Sequence, residues 1–385
     1  MGLAGAFLAQ HVSTDDHMAT QAPTGPRHPT WFDDRIGLGA VLAPMAGFSD
    51  APFRRLARHF GAAWAVSEMV SAKALALHPH DERSLRISAP YRHEPHAVVQ
   101  LFAAEPELAA RAVERLDRTY RPAAFDLNLG CPVRKVINRG CGSELLRDPE
   151  RAAAVLAAMA SATRVPVSAK LRLGVDREVA VEVAQALVRA GAAALAVHGR
   201  TARQRYQGRA DWDAIARVAA AVDVAVLGSG DVVDVAGYAH ARHSGVGVMV
   251  ARGAIGKPWL FAQLRGDAAP CRDGITTVVW RHARDHVAWY AGERPLRRLR
   301  GQLAAYALAL AAAPGRALDT SVLRAALVRV DTLDDLRLAL HVHAQVEPER
   351  SAERLGETWQ RLAWAASVAP RRHGDADDGS GETGG

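Results

Sequence analysis

The chain has 385 residues, of which 49% are hydrophobic and 23% are charged, and these proportions are those of an ordinary globular protein. Its three cysteines are an odd number in a long chain and lack the spacing of metal ligands, so we expect neither a disulfide framework nor a metal site. The formal net charge of +7 permits a nucleic-acid partner but does not require one.

The two ends of the chain differ in composition from its middle. Residues 1–30 are polar and rich in proline and histidine, which predicts a disordered leader, with Met18 as a second possible start. Residues 371–385 are predicted to form a disordered tail. The opening lacks a positively charged leader, and no apolar run reaches the roughly 18–20 residues of a membrane span. We therefore expect a cytoplasmic protein with no membrane partner.

Eight short apolar runs alternate with alanine-rich helical stretches between residues 38 and 265. The runs are almost continuously hydrophobic, as strands buried on both faces are. Eight such units predict a (β/α)8 TIM barrel, with a doubly wound open sheet as the alternative. The predicted strands are 40–44, 64–70, 97–102, 124–129, 166–171, 194–199, 224–229 and 247–252.

The remaining region, residues 275–368, has a helical pattern and contains no segment with a clear strand pattern. Its long alanine- and leucine-rich segments predict a separate helical bundle domain that follows the barrel.

Polar residues at the ends of the predicted strands mark the candidate active site, because a barrel builds its site at the carboxyl ends of its strands. Gln100 lies in the third strand, Asn128 and Cys131 follow the fourth, Lys170 lies in the fifth and His198 closes the sixth. An amide or histidine in such a place is often structural. A lysine in a buried strand needs a charge partner, a ligand or a shifted pKa. Because all of these residues fall at the same rim of the predicted barrel, together they predict an active site there.

The loops after the last two strands predict a phosphate site. They read GSGDV and ARGAIGKPW, with glycines for close backbone approach and Arg252 for bidentate phosphate binding. Loops in this position frequently bind phosphate in barrels. A lysine and a histidine above such a site suit flavin mononucleotide (FMN), whose reduced ring is stabilised by cations.

Several blocks of the sequence together resemble a known family. They are LAPMAGFSDAPFRRL, VVQLF, DLNLGCPVRKV, GCGSELL, AKLRLG, VHGRTARQRYQGRADW, LGSGDV and VMVARGAIGKPWLF. In order and spacing, across about residues 38–262, they look like the signature blocks of the tRNA-dihydrouridine synthases. The resemblance implies an FMN-dependent oxidoreductase that reduces the C5–C6 double bond of a uridine in tRNA. It also implies tightly bound FMN, NADPH as reductant (NADH being possible) and a helical domain that binds tRNA.

The resemblance also implies roles for individual residues. Cys131 is the expected general acid, giving a proton to C5 of the uracil while a hydride reaches C6, and Asn128 is expected to contact the base. An ordinary thiol is mostly protonated near neutral pH, which suits an acid, and no Cys-His signature of a nucleophile is apparent. Ser229 stands where many members have Asn, which puts a side-chain role there in doubt. The residues expected to bind FMN are Pro44, Met45, Ala46, Gln100, Lys170, His198, Ser229, Gly230, Asp231, Ala251 and Arg252.

Clusters of arginine are the candidate RNA contacts, because a base must leave its stack to enter a barrel mouth and flanking phosphates must then be held. Arg200 and Arg203 are the expected substrate contacts in the loop after the sixth strand, which also holds Arg205, Arg209 and Tyr206. The helical region adds Arg294, Arg297, Arg298 and Arg300. The alternative is a solvated, salt-bridged helix face.

Two other functions stay open on the sequence alone. One is a flavin barrel that acts on a free pyrimidine, such as a dihydroorotate dehydrogenase type; steep salt dependence of tRNA binding would argue against it. The other is a non-catalytic RNA-binding protein, which would stay colourless when FMN is added. We expect a monomer, and the sequence leaves the target uridine undecided.

Overall fold

The computed structural model describes residues 31–78, 80–290 and 295–345. The predicted leader (1–30) with Met18, the predicted tail (371–385), the end of the predicted helical region (346–368) and Arg294 lie outside the described residues.

Eight parallel strands form a single sheet whose order, β1-β8-β7-β6-β5-β4-β3-β2, is that of a barrel. The predicted strands are confirmed to within a few residues, apart from the second. The strands are Val41–Leu42 (β1), Val70–Ser71 (β2), Val98–Phe102 (β3), Ala124–Leu129 (β4), Val167–Arg172 (β5), Ala194–His198 (β6), Ala225–Ser229 (β7) and Gly247–Val250 (β8).

The ring closes through the residues just before β2. Leu42 of β1 pairs with Ala65, and Val66 pairs with Val98 of β3, so this segment joins the two edges of the sheet. The closed ring confirms the predicted TIM barrel over the open sheet. The predicted strand 64–70 is interrupted because the amide of Gln100 donates to the hydroxyl of Ser67, at 3.0 Å, in place of a backbone carbonyl.

Helices follow the strands and cover the barrel. Many begin at an aspartate whose side chain caps the first turn: Asp148, for example, accepts from the amide of Arg151, and Pro149 opens that helix. The helices of the barrel are Ala51–His59 (α1), Ala72–Leu77 (α2), Glu82–Ser88 (α3), Pro106–Tyr120 (α4), Arg134–Ile137 (α5), Pro149–Ser161 (α6), Ala180–Arg189 (α7), Trp212–Ala220 (α8), Val235–Arg242 (α9) and Leu260–Gln263 (α10). Short 3-10 segments span Gly142–Arg147 and Arg252–Ala254.

The region after the barrel is helical, as predicted, over its described residues. Its helices are Arg272–Tyr290 (α11), Arg300–Ala312 (α12), Thr320–Leu327 (α13) and Leu333–Ala339 (α14), with a 3-10 turn at Pro295–Leu299 and a π turn at Leu340–Ala344. Its apolar core includes Leu56 of α1 and Trp259 beside α10, so it packs directly on the barrel. No helix in the described ranges is long and apolar enough to cross a membrane.

Polar contacts tie this helical region to two loops of the barrel. Gln302 of α12 is 2% exposed; its Oε1 accepts from the amide of Gly256 at 2.8 Å, and its Nε2 donates to the carbonyl of Phe48 at 3.4 Å. Nδ1 of His286 on α11 lies 3.0 Å from the carboxylate of Asp50. Burial opposes the charge of Asp50, but its contacts with His286 and His282 hold its pKa below the ordinary value.

Replacing Gln302 with leucine should lower the free energy of unfolding by about 1–3 kcal/mol, because the buried amide of Gly256 then loses its acceptor. Urea unfolding followed by circular dichroism measures this change. Gln185→Leu is the matched control, since Gln185 makes only an exposed contact with Ala221, and it should stay within about 0.5 kcal/mol of the parent. Equal stability of the two variants would contradict the assigned role of Gln302.

Candidate active site

A cavity of about 530 Å³ opens at the carboxyl ends of the strands. It is lined by Cys131, by Asn128 and by all the residues that the sequence analysis assigned to the cofactor. The tertiary structure therefore brings these residues, which span positions 44 to 252, into one place. Arg200 and Arg203 do not line the cavity.

The loop that carries Cys131 is held by hydrogen bonds on both sides. The amide of Cys131 donates to Oδ1 of Asn128 at 3.0 Å, and its carbonyl accepts from the amide and the hydroxyl of Ser143, both at 3.1 Å. Gly142 has φ +64°, and a side-chain carbon there would lie 2.7 Å from the carbonyl of Cys131. Only glycine therefore fits beneath the loop.

Burial raises the pKa of the Cys131 thiol, and the contact with Val133 and the charge of Arg172 oppose that rise without cancelling it. The side chain is half-buried. The thiol is consequently protonated at neutral pH, which is the state of a proton donor and not of a nucleophile.

Lys170 gives the cavity a positive charge, whereas His198 beside it is neutral. Burial lowers the pKa of Lys170 to about 8, with Arg172 lowering it further and Asp126 opposing, so the ammonium is charged at pH 7. Burial and the surrounding cations, Lys170 first among them, hold the pKa of His198 far below its ordinary value, so the imidazole is neutral. Arg200 Nη1 lies 3.4 Å from Nε2 of His198. Because a guanidinium only donates, Nε2 accepts and Nδ1 carries the hydrogen.

The loops after β7 and β8 pack against each other at the edge of the cavity. Gly230 has φ +135° and Asp231 has φ +57°, so two successive residues adopt positive φ in the turn after β7. A side-chain carbon at Gly253 would lie 2.3 Å from the carbonyl of Val232, which explains the glycine in the second loop. The guanidinium of Arg252 lies 4.1 Å above the ring of Tyr206.

Arg200 is a correction to the sequence-based expectation. It was expected to contact RNA, but it is 1% exposed, and its Nη2 donates to both carboxylate oxygens of Asp231 at 2.7 Å and to the carbonyl of Gly208 at 2.6 Å. The loop after β6 folds back over it through the carbonyls of Gln207 and Gly208, so the guanidinium is buried within the protein. Arg200 instead neutralises an aspartate that stands beside the predicted phosphate site.

Among the described residues, the other arginines predicted to contact RNA are exposed or, for Arg300, partly exposed. Arg203 is 76% exposed at the rim, where it pairs with Asp176 at 2.8 Å, and Arg147 reaches the same carboxylate at 2.6 Å. In the helical region, Arg297 and Arg300 both pair with Asp331, at 3.3 and 3.2 Å.

Arg172 is a site residue that sequence reasoning missed. It follows Lys170 by two positions on β5, so both side chains point to the same face of the strand. Its Nε donates to the carbonyl of Gly130 at 2.9 Å, and its Nη1 donates to the carbonyls of Thr201 and Arg205 at 2.9 and 2.8 Å. Arg172 therefore joins the Cys131 loop to the loop after β6.

The family model described as dihydrouridine synthase (Dus) matches residues 41–316. A probable tRNA-dihydrouridine synthase of Rickettsia bellii is 35% identical over 282 residues, which are 66% of this chain and 86% of that protein. A probable tRNA-dihydrouridine synthase of Rhizobium leguminosarum bv. phaseoli is 38% identical, covering 65% of this chain and 84% of its own. The tRNA-dihydrouridine synthase B of Pseudomonas putida is 36% identical over 66% of this chain and 83% of that protein.

The matched region contains the whole barrel, every residue of the cavity and the first helices that follow it. The family implied by the sequence motifs is thus confirmed, and the chain belongs to the dihydrouridine synthase family.

Proposed function

We propose that this protein reduces the C5–C6 double bond of a uridine in tRNA to give 5,6-dihydrouridine. The names of its relatives supply the substrate class. The observation that carries the chemistry is the cavity itself, in which a protonated thiol, Cys131, shares the walls with the cation of Lys170 and with two glycine-containing loops.

The residues of the cavity fit FMN. Two cations, Lys170 and Arg252, and the buried amide of Gln100 form a donor set suited to an anionic, carbonyl-rich ligand. Gly230, which has no side chain, leaves room for a ligand to approach the backbone of the turn after β7, and Arg252 supplies a guanidinium suited to a phosphate. When bound, FMN supplies the hydride for C6 of the uracil. Our assignment of the FMN-binding residues is Pro44, Met45, Ala46, Gln100, Lys170, His198, Ser229, Gly230, Asp231, Ala251 and Arg252.

In this proposal, each residue has a separate task. Lys170 would supply a positive charge that stabilises a reduced flavin, and the neutral His198 would contact the flavin without adding a second charge. Cys131 donates the thiol proton to C5. Asn128 holds the Cys131 loop and has one amide N–H left for a carbonyl of the base.

The substrate reaches the cavity only with its uracil out of the stack, so phosphates on either side need cations at the rim. Arg203, Arg205 and Arg209 are exposed beside the mouth, and Arg297 and Arg298 are exposed on the helical region. We assign these groups to RNA binding, with residues 38–265 as the catalytic domain and 275–368 as the tRNA-binding domain. We further propose NADPH as reductant, with NADH possible, and a monomeric enzyme that works in the cytoplasm, where its substrate is.

Replacing Arg200 with methionine should raise the Kd for FMN by about 10- to 100-fold, since Asp231 would lose its closest cation and keep only Arg252, at 3.9 Å, which the proposal assigns to the flavin phosphate. Fluorescence quenching of FMN by the protein measures the Kd. The double variant Arg200→Met/Asp231→Asn removes both charges and should recover most of the affinity. An unchanged Kd in the single variant would contradict the proposed neutralisation.

Nucleoside mass spectrometry tests the proposed function. tRNA from a strain lacking this enzyme is digested before and after incubation with the protein, FMN and NADPH. We expect a uridine at one position to gain two mass units, and Cys131→Ala serves as the control. Reduction of free pyrimidines but not of tRNA would instead identify a small-molecule flavin reductase.

A further inference from the structure

Asp126 is a buried carboxylate to which the proposed reaction gives no role. It lies on β4 two positions before Asn128, so the two side chains share one face of the strand. It is 3% exposed. Its Oδ2 accepts from Nε2 of Gln100 and its Oδ1 accepts from the hydroxyl of Ser168, both at 2.6 Å.

A chain of hydrogen bonds leads from Asp126 to the Cys131 loop. Oε1 of Gln100 accepts from Nδ2 of Asn128 at 2.9 Å. Oδ1 of Asn128 then accepts from the amides of Cys131 and Gly130, at 3.0 and 3.3 Å. Together with the bond from Ser168 of β5 to Asp126, these hydrogen bonds link β3, β4, β5 and the Cys131 loop.

Asp126 determines how the side-chain amides of Gln100 and Asn128 are oriented in this chain of hydrogen bonds. The carboxylate oxygen of Asp126 that faces Gln100 can only accept, so the amide of Gln100 must present its NH2 group there and its oxygen to Asn128. Asn128 must in turn present its NH2 group to Gln100 and its oxygen to the Cys131 amide. If Gln100 were reversed, Asn128 would reverse as well, and its NH2 group would oppose the N–H of Cys131.

The charge of Asp126 is compatible with this arrangement. Burial raises its pKa, and the hydrogen bonds from Gln100 and Ser168 and the charge of Lys170 oppose the rise. Even with a proton on Oδ1, Oδ2 would still accept from Gln100, because the hydroxyl of Ser168 can turn its hydrogen to the carbonyl of Phe125, 3.2 Å away.

We propose that Asp126 is a positioning residue: it sets the direction of the Gln100–Asn128 hydrogen bonds and thereby holds the loop that presents Cys131. The expected effect on catalysis rests on the proposed function. The claim that Asp126 fixes the position of the Cys131 loop does not. The same direction leaves Gln100 and Asn128, which both line the cavity, one N–H each to donate to a carbonyl-bearing ring.

The first test measures how fast iodoacetamide alkylates Cys131 in protein free of FMN and tRNA, with peptide mass spectrometry as the readout. Asp126→Leu keeps the branched shape of the side chain, although it is larger, and removes the acceptor; we expect Cys131 to react about tenfold faster. Asp126→Asn keeps an oxygen for Gln100 while its NH2 group turns to Ser168, and it should stay within about twofold of the parent. The exposed Cys271 is the internal standard.

A second variant keeps the test valid if Asp126→Leu does not fold. Gln100→Met breaks the chain at its middle and should raise the reactivity of Cys131 by a similar factor. Combined with Asp126→Leu it should add nothing further, because both changes break one chain. Unchanged reactivity of Cys131 in either single variant would overturn the proposal, and so would an Asp126→Asn variant as reactive as Asp126→Leu.

Single-turnover kinetics connect the loop to the reaction. At saturating FMN, Asp126→Leu should reduce tRNA at least about tenfold more slowly than the parent, while its flavin is reduced by NADPH within about threefold of the parent rate. A parent protein that is inactive on tRNA but shows the expected alkylation pattern would refute the proposed function alone. If Asp126→Leu reduced tRNA as fast as the parent although its Cys131 is alkylated faster, only the positioning role would be refuted.

Discussion

Replacing Cys131 with alanine should lower the rate of dihydrouridine formation by about 10²- to 10⁴-fold, the usual contribution of a general acid. FMN and tRNA should still bind, because the backbone of Cys131, and not its side chain, makes the contacts that hold the loop. Cys141→Ala is the matched control: Cys141 is buried ten residues later and does not line the cavity. Equal rates for the two variants would refute the assignment of Cys131 as the acid.

The pH dependence of the same step provides an independent check on Cys131. A general acid works only while it is protonated, and burial raises the pKa of this thiol above the ordinary value. The single-turnover rate with tRNA should therefore be constant through neutral pH and fall only in the alkaline range as the thiolate forms. A rate that falls as pH rises through 7 would contradict a thiol acid.

Replacing Lys170 with methionine should raise the Kd for FMN by about 10- to 100-fold, because the variant loses a charged donor at the flavin and leaves Asp126 without its neighbouring cation. Flavin fluorescence titration measures this effect. Lys73→Met is the control, since Lys73 makes only an exposed ion pair with Glu105. A variant that binds FMN as tightly as the parent would contradict the role given to Lys170.

The pKa of Lys170 also gives this affinity a pH dependence with a definite sign. The free protein loses the ammonium charge as pH rises through about 8, so above that pH the binding of FMN requires Lys170 to take up a proton from the solvent. The Kd of the parent should be constant below pH 8 and rise by up to about tenfold per pH unit above it. The Lys170→Met variant should lack this rise.

Much of the fold could be predicted because its determinants are local. Eight hydrophobic runs of strand length, separated by helical stretches, are a property of neighbouring residues, and they predicted the barrel and most strand positions. The residues of the cavity could be found because the carboxyl ends of parallel strands meet on one rim. Asp126 and Arg172 could have been found in the same way. Asp126 lies two positions before Asn128 and Arg172 two positions after Lys170, and side chains two positions apart on a strand share a face.

Other features depended on partners that are distant along the chain. Arg200 was expected to contact RNA, and only the folded loop after β6 showed it buried against Asp231, 31 residues later. The interruption before β2 depends on a hydrogen bond between Ser67 and Gln100, which are 33 residues apart.

The sequence by itself determined the architecture and the chemical groups that line the cavity, because hydrophobic period and strand-end position are local properties. Only the tertiary structure decided which charges are neutralised, which side chains are exposed and how Asp126 directs two amides toward Cys131. Such hydrogen bonds and ion pairs act over about 3 Å and join residues that the chain alone does not bring together.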